Sequence, residues 1–142
     1  HAAANAHSFD ASVFKPLVIS QPEGPSFAVD NRLLTWQKWQ MHIGFNYREG
    51  IVLGDIRFGG RPVCHSARIA EMVVPYGGPD TPHAQKSVFD IGEAGFGCNA
   101  NSLQLGCDCK GAIHYLDAWI PTSSGKSRCI KNAVCIHEED HG

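Results

Sequence analysis

The chain has 142 residues, of which 43% are hydrophobic, and a formal net charge of -2. That length suits one domain able to bury a core. There is no basic stripe and no block of like charges, which excludes a nucleic-acid reading. No apolar run approaches the ~20 residues of a membrane span. The opening "HAAANAHSFD" has neither an initiator Met nor a signal-peptide layout, so it gives no address. The chain closes on "IHEEDHG", and both ends read as cut. Six cysteines are more than most cytosolic domains of this size carry and too few for a disulfide-dense miniprotein.

In chain order, "KPLVISQPEGPSF" reads as an extended segment closed by a Pro/Gly turn. Asp30-Asn31 is a hairpin tip. "TWQKWQMHIGFNY" alternates loosely, as one strand with Trp36 and Trp39 on opposite faces. "NYREGIVLGDIRFGGRPVC" reads as strand, turn at Glu49-Gly50, strand, ending at Gly59-Gly60. "ARIAEMVVPYGG" is a further strand stopped by Pro75 and Gly77; a helix over 67–74 would be cut short by Pro75. "VFDIGEAGFG", "AIHYLDAWI" and "CIKNAVCIHEE" complete the strands. The expected fold is an all-β domain with sandwich-like spacing.

The loop signal from Pro121 to Gly125 centres a hairpin near residues 122–123. About that centre Cys109 falls opposite Cys135, and opposed residues of an antiparallel ladder lie roughly 4.5–5.5 Å apart, within a disulfide's reach. Cys64, Cys98, Cys107 and Cys129 have no partner that can be named.

Several constellations could carry chemistry. Asp90 stands between Val88-Phe89 and Ile91. It is either a solvated edge residue or a carboxylate held in a dry pocket, where desolvation would raise its pKa into the range of a general base. Glu93 would point to the opposite strand face, so the two acids are not a paired site. Cys107 and Cys109 with His114 and His137 form a zinc inventory, but Cys-x-Cys is tighter than zinc spacing and a bridge at Cys109 would consume a ligand. His137-Glu138 with His141 meets the local rule of the zincin motif, yet follows a strand where that motif needs a helix. The bland reading there is a polar strand end. Arg48-Glu49 at a turn reads as an exposed ion pair of little energetic weight. Tyr76, between a strand and a turn, reads on its own as a packing residue.

Taken together, "LVISQPEGPSF", "WQKWQMHIGFNYREGIVLGDIRF", "RIAEMVVPYG", "FDIGEAGFG", "NSLQLGCDCKGAIHYLDA" and "CIHEED" closely resemble the opening of the C-terminal catalytic domain of the copper-containing (topaquinone) amine oxidases. The resemblance covers residues 14–142, leaving 1–13 as a linker or the remnant of a preceding domain. It looks most like fungal or microbial members. It implies part of a large antiparallel β-sandwich within a homodimeric parent. It implies a primary amine and O2 as substrates, with aldehyde, ammonia and hydrogen peroxide as products. In the family a tyrosine is oxidised to topaquinone by copper and oxygen, the quinone condenses with the amine, and an aspartate removes the α-proton. The family's Phe-Asp-x-Gly-Glu segment falls on Phe89-Asp90-Ile91-Gly92-Glu93, so Asp90 resembles that base. Tyr76 of Pro-Tyr-Gly resembles the tyrosine that hydrogen-bonds a quinone oxygen. Val88 and Ala94 stand where the family often has a gating aromatic and a Tyr, which implies a roomier channel. The family's disulfide corresponds to Cys109 and Cys135.

The family's quinone-forming Asn-Tyr-Asp/Glu-Tyr motif does not occur in these residues. Asn46-Tyr47-Arg48-Glu49 imitates only its beginning. No two histidines are spaced as His-x-His, the copper-ligand pair, so no metal ligand is assigned within this chain. The expectation is a fragment of an amine oxidase, inert alone, whose copper and topaquinone belong to the full-length parent. The alternative is a non-catalytic β-sandwich module derived from the same stock.

Overall fold

The computed structural model describes residues 13–70, 72–75, 77–79 and 95–142, and the backbone of 87–89. Among these residues the regular structure is strand. The strands are β1 (Phe27–Asp30), β2 (Leu33–Trp36), β3 (Trp39–Asn46), β4 (Gly50–Phe58), β5 (Arg61–Arg68), β6 (Val73–Pro75), β7 (Ser87–Phe89), β8 (His114–Pro121) and β9 (Ser127–Ile136). β1 to β5 form an antiparallel meander; β6–β7 and β8–β9 are separate antiparallel pairs. The all-β expectation holds.

Short turns set the meander. Asn31 takes a left-handed conformation (φ 56°) between β1 and β2, which asparagine tolerates better than most residues. Gly59 and Gly60 both have positive φ (57° and 79°), as a two-residue hairpin matched to right-handed strand twist requires. The expected single strand through Trp36 and Trp39 is in fact a hairpin. Gln37 reverses the chain at φ 54°, and the two tryptophans become cross-strand partners. Alternation alone cannot reveal such a turn when neither Gly nor Pro marks it. Trp39 instead stacks obliquely on Phe58, its partner in β4, with ring centroids 4.8 Å apart. The "RPVC" stretch opens β5, which runs on to Arg68, so residues 67 and 68 belong to a strand and not to a helix.

The β8–β9 hairpin corrects the expected register. Pro121 pairs with Ser127, which centres the loop on Ser124. The register then shifts between Leu116 and Ala118, so Tyr115, not Cys109, lies opposite Cys135. The irregularity is built around Asp117, whose carboxylate accepts from Lys131 Nζ and from the backbone N–H of Asn132 at 2.9 Å. All six cysteines are free thiols.

Two layers meet where Ile43 of β3 packs with Leu116 of β8 and Val134 of β9, flanked by Val29, Leu34, Phe45, Leu53 and Ile136. Alternation along β3 points Ile43 and Phe45 inward. Arg32 crosses between the layers, donating to the carbonyl of Asp117 at 2.7 Å. β5, at the meander's edge among the described residues, carries Pro62 with Arg61, His65 and Arg68, residue types that disfavour edge pairing.

Ile43 is only 2% exposed, so Ile43→Ala is expected to cost about 2–5 kcal/mol. Val63→Ala on the exposed β5 is expected to stay within about 0.5 kcal/mol. Urea unfolding midpoints check the contrast.

Candidate functional site

β6 and β7 form a short hairpin pairing Val73 with Phe89, Val74 with Val88 and Pro75 with Ser87. Its strands end one residue before Tyr76 and Asp90 in sequence. Val88 is thus placed by its backbone, while Tyr76, Asp90 and Ala94 lie outside the described residues.

Downstream, the segment Gly95–Cys98 docks against the β3–β4 turn. Phe96 N–H donates to Arg48 O at 2.8 Å and Cys98 N–H to Tyr47 O at 2.9 Å. The approach requires glycine: a Cβ on Gly97 would stand 1.9 Å from Asn46 O, and one on Gly95 2.6 Å from Arg48 O. The turn is equally specified. Asn46 Oδ1 accepts from the N–H groups of Arg48 (3.0 Å) and Glu49 (2.7 Å), and its Nδ2 donates to Glu49 Oε2 at 2.7 Å. Glu49 also faces Arg68 at 3.6 Å with its side chain 18% exposed, so the expected exposed Arg48–Glu49 pair gives way to a Glu49–Arg68 contact.

Cys109 and Cys135 are brought together despite the register, because the chain before β8 folds back over it. Cys109 Sγ and Tyr115 Oη lie 3.3 Å apart. The hydrogen bond with Cys109, and then burial, push the Tyr115 phenol up to about 12. Burial raises the Cys135 thiol, and a hydrogen bond with Cys109 raises it further. Cys107, Cys109, His137 and His141 share the wall of an open cleft of about 640 Å³. Among the described residues, however, no three His, Cys, Asp or Glu converge to hold a metal ion.

The "HEED" segment is not helical. Glu139 lies 3.8 Å from His137 Nε2 and 3.5 Å from His141 Nε2. Glu138 turns elsewhere: it accepts from Gln21 Nε2 (2.6 Å), Ser26 N–H (2.8 Å) and Trp36 Nε1 (2.8 Å). These bonds, led by the Ser26 amide, hold its carboxyl down at about 2. The three donors are spread over 16 residues of sequence, from 21 to 36; nothing in the sequence around Glu138 signals them.

Residues 28–142 match the copper amine oxidase enzyme domain. The chain belongs to the copper amine oxidase family. It is 54% identical over 132 residues to copper amine oxidase 1 of Schizosaccharomyces pombe, covering 90% of this chain and 18% of that protein. It is 51% identical over 131 residues to the peroxisomal primary amine oxidase of Pichia angusta, covering 89% of this chain and 19% of that one. In structure it resembles the copper-containing benzylamine oxidase of Hansenula polymorpha, with a TM-score of 0.79 at 47% identity, over 91% of this chain and 20% of that one. The chain therefore spans about a fifth of the length of the relatives it matches. The fold is part of the family's antiparallel β-sandwich architecture.

Within this amine oxidase segment, the Glu138 clamp makes stability depend on pH. The folded-state carboxyl is depressed to about 2, against ~4.3 for an unperturbed glutamate. Its stabilising contribution is therefore complete above the unfolded value and is lost as pH falls toward 2. Wild type and Glu138→Gln should differ in urea midpoint at pH 6 and converge as pH approaches 2. A constant difference across that range would show that the carboxylate charge is not what the clamp uses.

Proposed function

We propose that this chain is the opening part of the catalytic domain, residues 14–142, of a primary-amine oxidase. The reaction is RCH2NH2 + O2 + H2O to aldehyde, NH3 and H2O2. The observation that carries the proposal is the family match across residues 28–142, which contains Phe89-Asp90-Ile91-Gly92-Glu93 unbroken. Residues 1–13 are a linker or the remnant of a preceding domain, and the complete oxidase is a homodimer.

In this reading the Asp90 carboxylate would take the α-proton of the bound amine, and topaquinone in the full-length protein would supply the acceptor for the electron pair of the broken C–H bond. Tyr76 holds a quinone oxygen by hydrogen bonding, and Val88 and Ala94 leave the amine channel wide. Topaquinone with copper, when bound, supplies the electrophile for the amine and passes its electrons to O2. The described residues do not fit the metal: no metal-sized cluster occurs among them, and the sequence holds neither His-x-His nor Asn-Tyr-Asp/Glu-Tyr. The 142 residues alone are therefore proposed to be inert, and oxidation belongs to a protein carrying those groups as well.

The Cys109–Cys135 contact is further proposed to be the reduced form of the family's disulfide. Exchange with oxidised glutathione would form one S–S bond and release two glutathione thiols. Thiol titration in denaturant should then fall from six to four, whereas a Cys135→Ser variant, which has five cysteines, should stay at five.

In the full-length protein, Asp90→Asn should lower amine-dependent peroxide release by about 10²–10⁴-fold, the usual contribution of a positioned general base. Binding of the amine should persist. An undiminished rate would place the base elsewhere. Absence of peroxide from copper-loaded wild type would favour the non-catalytic β-sandwich module.

A further inference from the structure

Cys107 has no part in the proposed chemistry, yet the fold holds it next to the two thiols that meet. The loop that carries it closes on itself. Gly106 N–H donates to Cys109 O at 2.7 Å, and Gln104 O accepts from the N–H groups of Cys107 (3.2 Å) and Asp108 (2.9 Å). The Asp108 carboxylate accepts in return from the Gln104 N–H at 2.7 Å. Cys107 and Cys109 therefore flank Asp108 on a tight turn. Two residues span at most about 7 Å when extended and less in a turn, which is within a disulfide's reach. The three sulfurs differ in access. Cys107 is exposed on the wall of the open cleft, whereas Cys109, on the same wall, is only 7% exposed. Cys109 Sγ is also engaged by Tyr115 Oη at 3.3 Å and by the hydrogen bond with Cys135. Cys135 is half-buried and lines a different groove with Leu34, Met41 and Leu53, whose apolar walls would desolvate a charged peptide disulfide. Burial raises its thiol as well, and the thiolate is the attacking species.

We propose that Cys107 is the entry point for oxidation of the Cys109–Cys135 pair, taking a small-molecule disulfide from the cleft and passing the bond inward. The proposal rests on the reading of that pair as the reduced form of a disulfide. The Cys107 thiolate attacks one sulfur of oxidised glutathione, forming a mixed disulfide and releasing one glutathione thiol. Cys109 then attacks the Cys107 sulfur, which releases the second glutathione thiol and closes a Cys107–Cys109 bond. Cys135 attacks the Cys109 sulfur, and Cys107 leaves as a thiolate. Each attacking thiol gives up its proton, and each leaving thiolate takes one. Two protein thiols are thus oxidised, one glutathione disulfide is reduced, and Cys107 ends unchanged. Every step exchanges one S–S bond for another. Burial sets the direction: the first two bonds involve an exposed sulfur, and exposed disulfides are the more easily reduced. The bond between Cys109 and Cys135 is the enclosed one, so exchange runs toward it.

The test follows the reduced full-length protein in oxidised glutathione, with acid quenching, alkylation and mass-spectrometric mapping of Cys107, Cys109 and Cys135. Wild type should show the Cys107–glutathione adduct first, decaying as the Cys109–Cys135 bond forms. Cys107→Ser should reach the same bond at least about tenfold more slowly, because the oxidant then waits on local opening around buried sulfur. Cys109→Ser should stop at the Cys107 adduct. Cys135→Ser should pass through the adduct and the Cys107–Cys109 bond, and excess reduced glutathione should then return both cysteines to thiols. A bond formed as fast in Cys107→Ser as in wild type would overturn the proposal, as would a first adduct at Cys109 or Cys135. The wild-type time course needs no substitution, so it decides even where a variant does not fold. Diamide, which oxidises thiols without a peptide carrier, separates the two readings. A Cys109–Cys135 bond that forms with diamide but not with glutathione overturns the entry role and leaves the pair standing. If neither oxidant forms it in wild type, the reading of the pair fails and the proposal falls with it.

Discussion

The two layers depend on one small apolar contact, Ile43 against Leu116 and Val134. Only nine hydrophobic residues are buried among the described residues, so apolar burial brings the layers together without determining how they sit. Hydrophobic attraction is nondirectional. Orientation comes from polar groups that cross the gap: Arg32 reaches the Asp117 carbonyl, and Glu138 reaches back to Gln21, Ser26 and Trp36. Each ties residues more than 80 positions apart. The bulge at Asp117 is part of the same arrangement, since the residue that breaks the β8–β9 register also presents the carbonyl that Arg32 needs.

Away from that contact, segments are located by backbone approaching backbone. The Gly95–Cys98 segment lies on the β3–β4 turn through main-chain hydrogen bonds at 2.8 and 2.9 Å. Such contacts use no side-chain volume and tolerate little slack. Glycine is the sequence signature of the arrangement, but its conformational freedom is not the whole reason. Gly97 is demanded by the 1.9 Å space in front of Asn46 O, which excludes a Cβ at any φ.

The strand content, most hairpin tips and the family were legible in the sequence, because Gly, Pro and Asn mark turns and six separated blocks carry the resemblance. Two things were not. The reversal at Gln37–Lys38 has no turn-forming residue, and a left-handed glutamine is stabilised by the two strands it joins rather than by its own preference. The offset in β8–β9 comes from the Asp117 side chain bonding Lys131 and Asn132, a contact made only after the strands pair. Together with a loop centred on Ser124 and not near 122–123, it sets Tyr115 and not Cys109 opposite Cys135. The thiols nevertheless meet, for a reason symmetry could not supply: the chain before β8 folds over it, with Leu105 bridged to Cys109. For Asp90, Tyr76 and Ala94, which lie outside the described residues, a role is suggested by the resemblance alone, since a lone Asp in a strand or a Tyr before a turn has many uses.

The "HIS-GLU" signal at the end of β9 shows why residue types without backbone geometry decide little. On a helix, His137 and His141 would share a face and Glu138 would stand beside them. In the extended conformation observed, consecutive side chains diverge. Glu139 therefore falls between the two imidazoles, while Glu138 swings to the opposite side and meets three N–H donors. Three donors around one carboxylate favour its charged form so strongly that its pKa sits near 2. A base that must take a proton near neutrality needs the opposite environment, with few donors and little water. The same side-chain type is thus held as an anion at Glu138, in an environment opposite to the one a base would need.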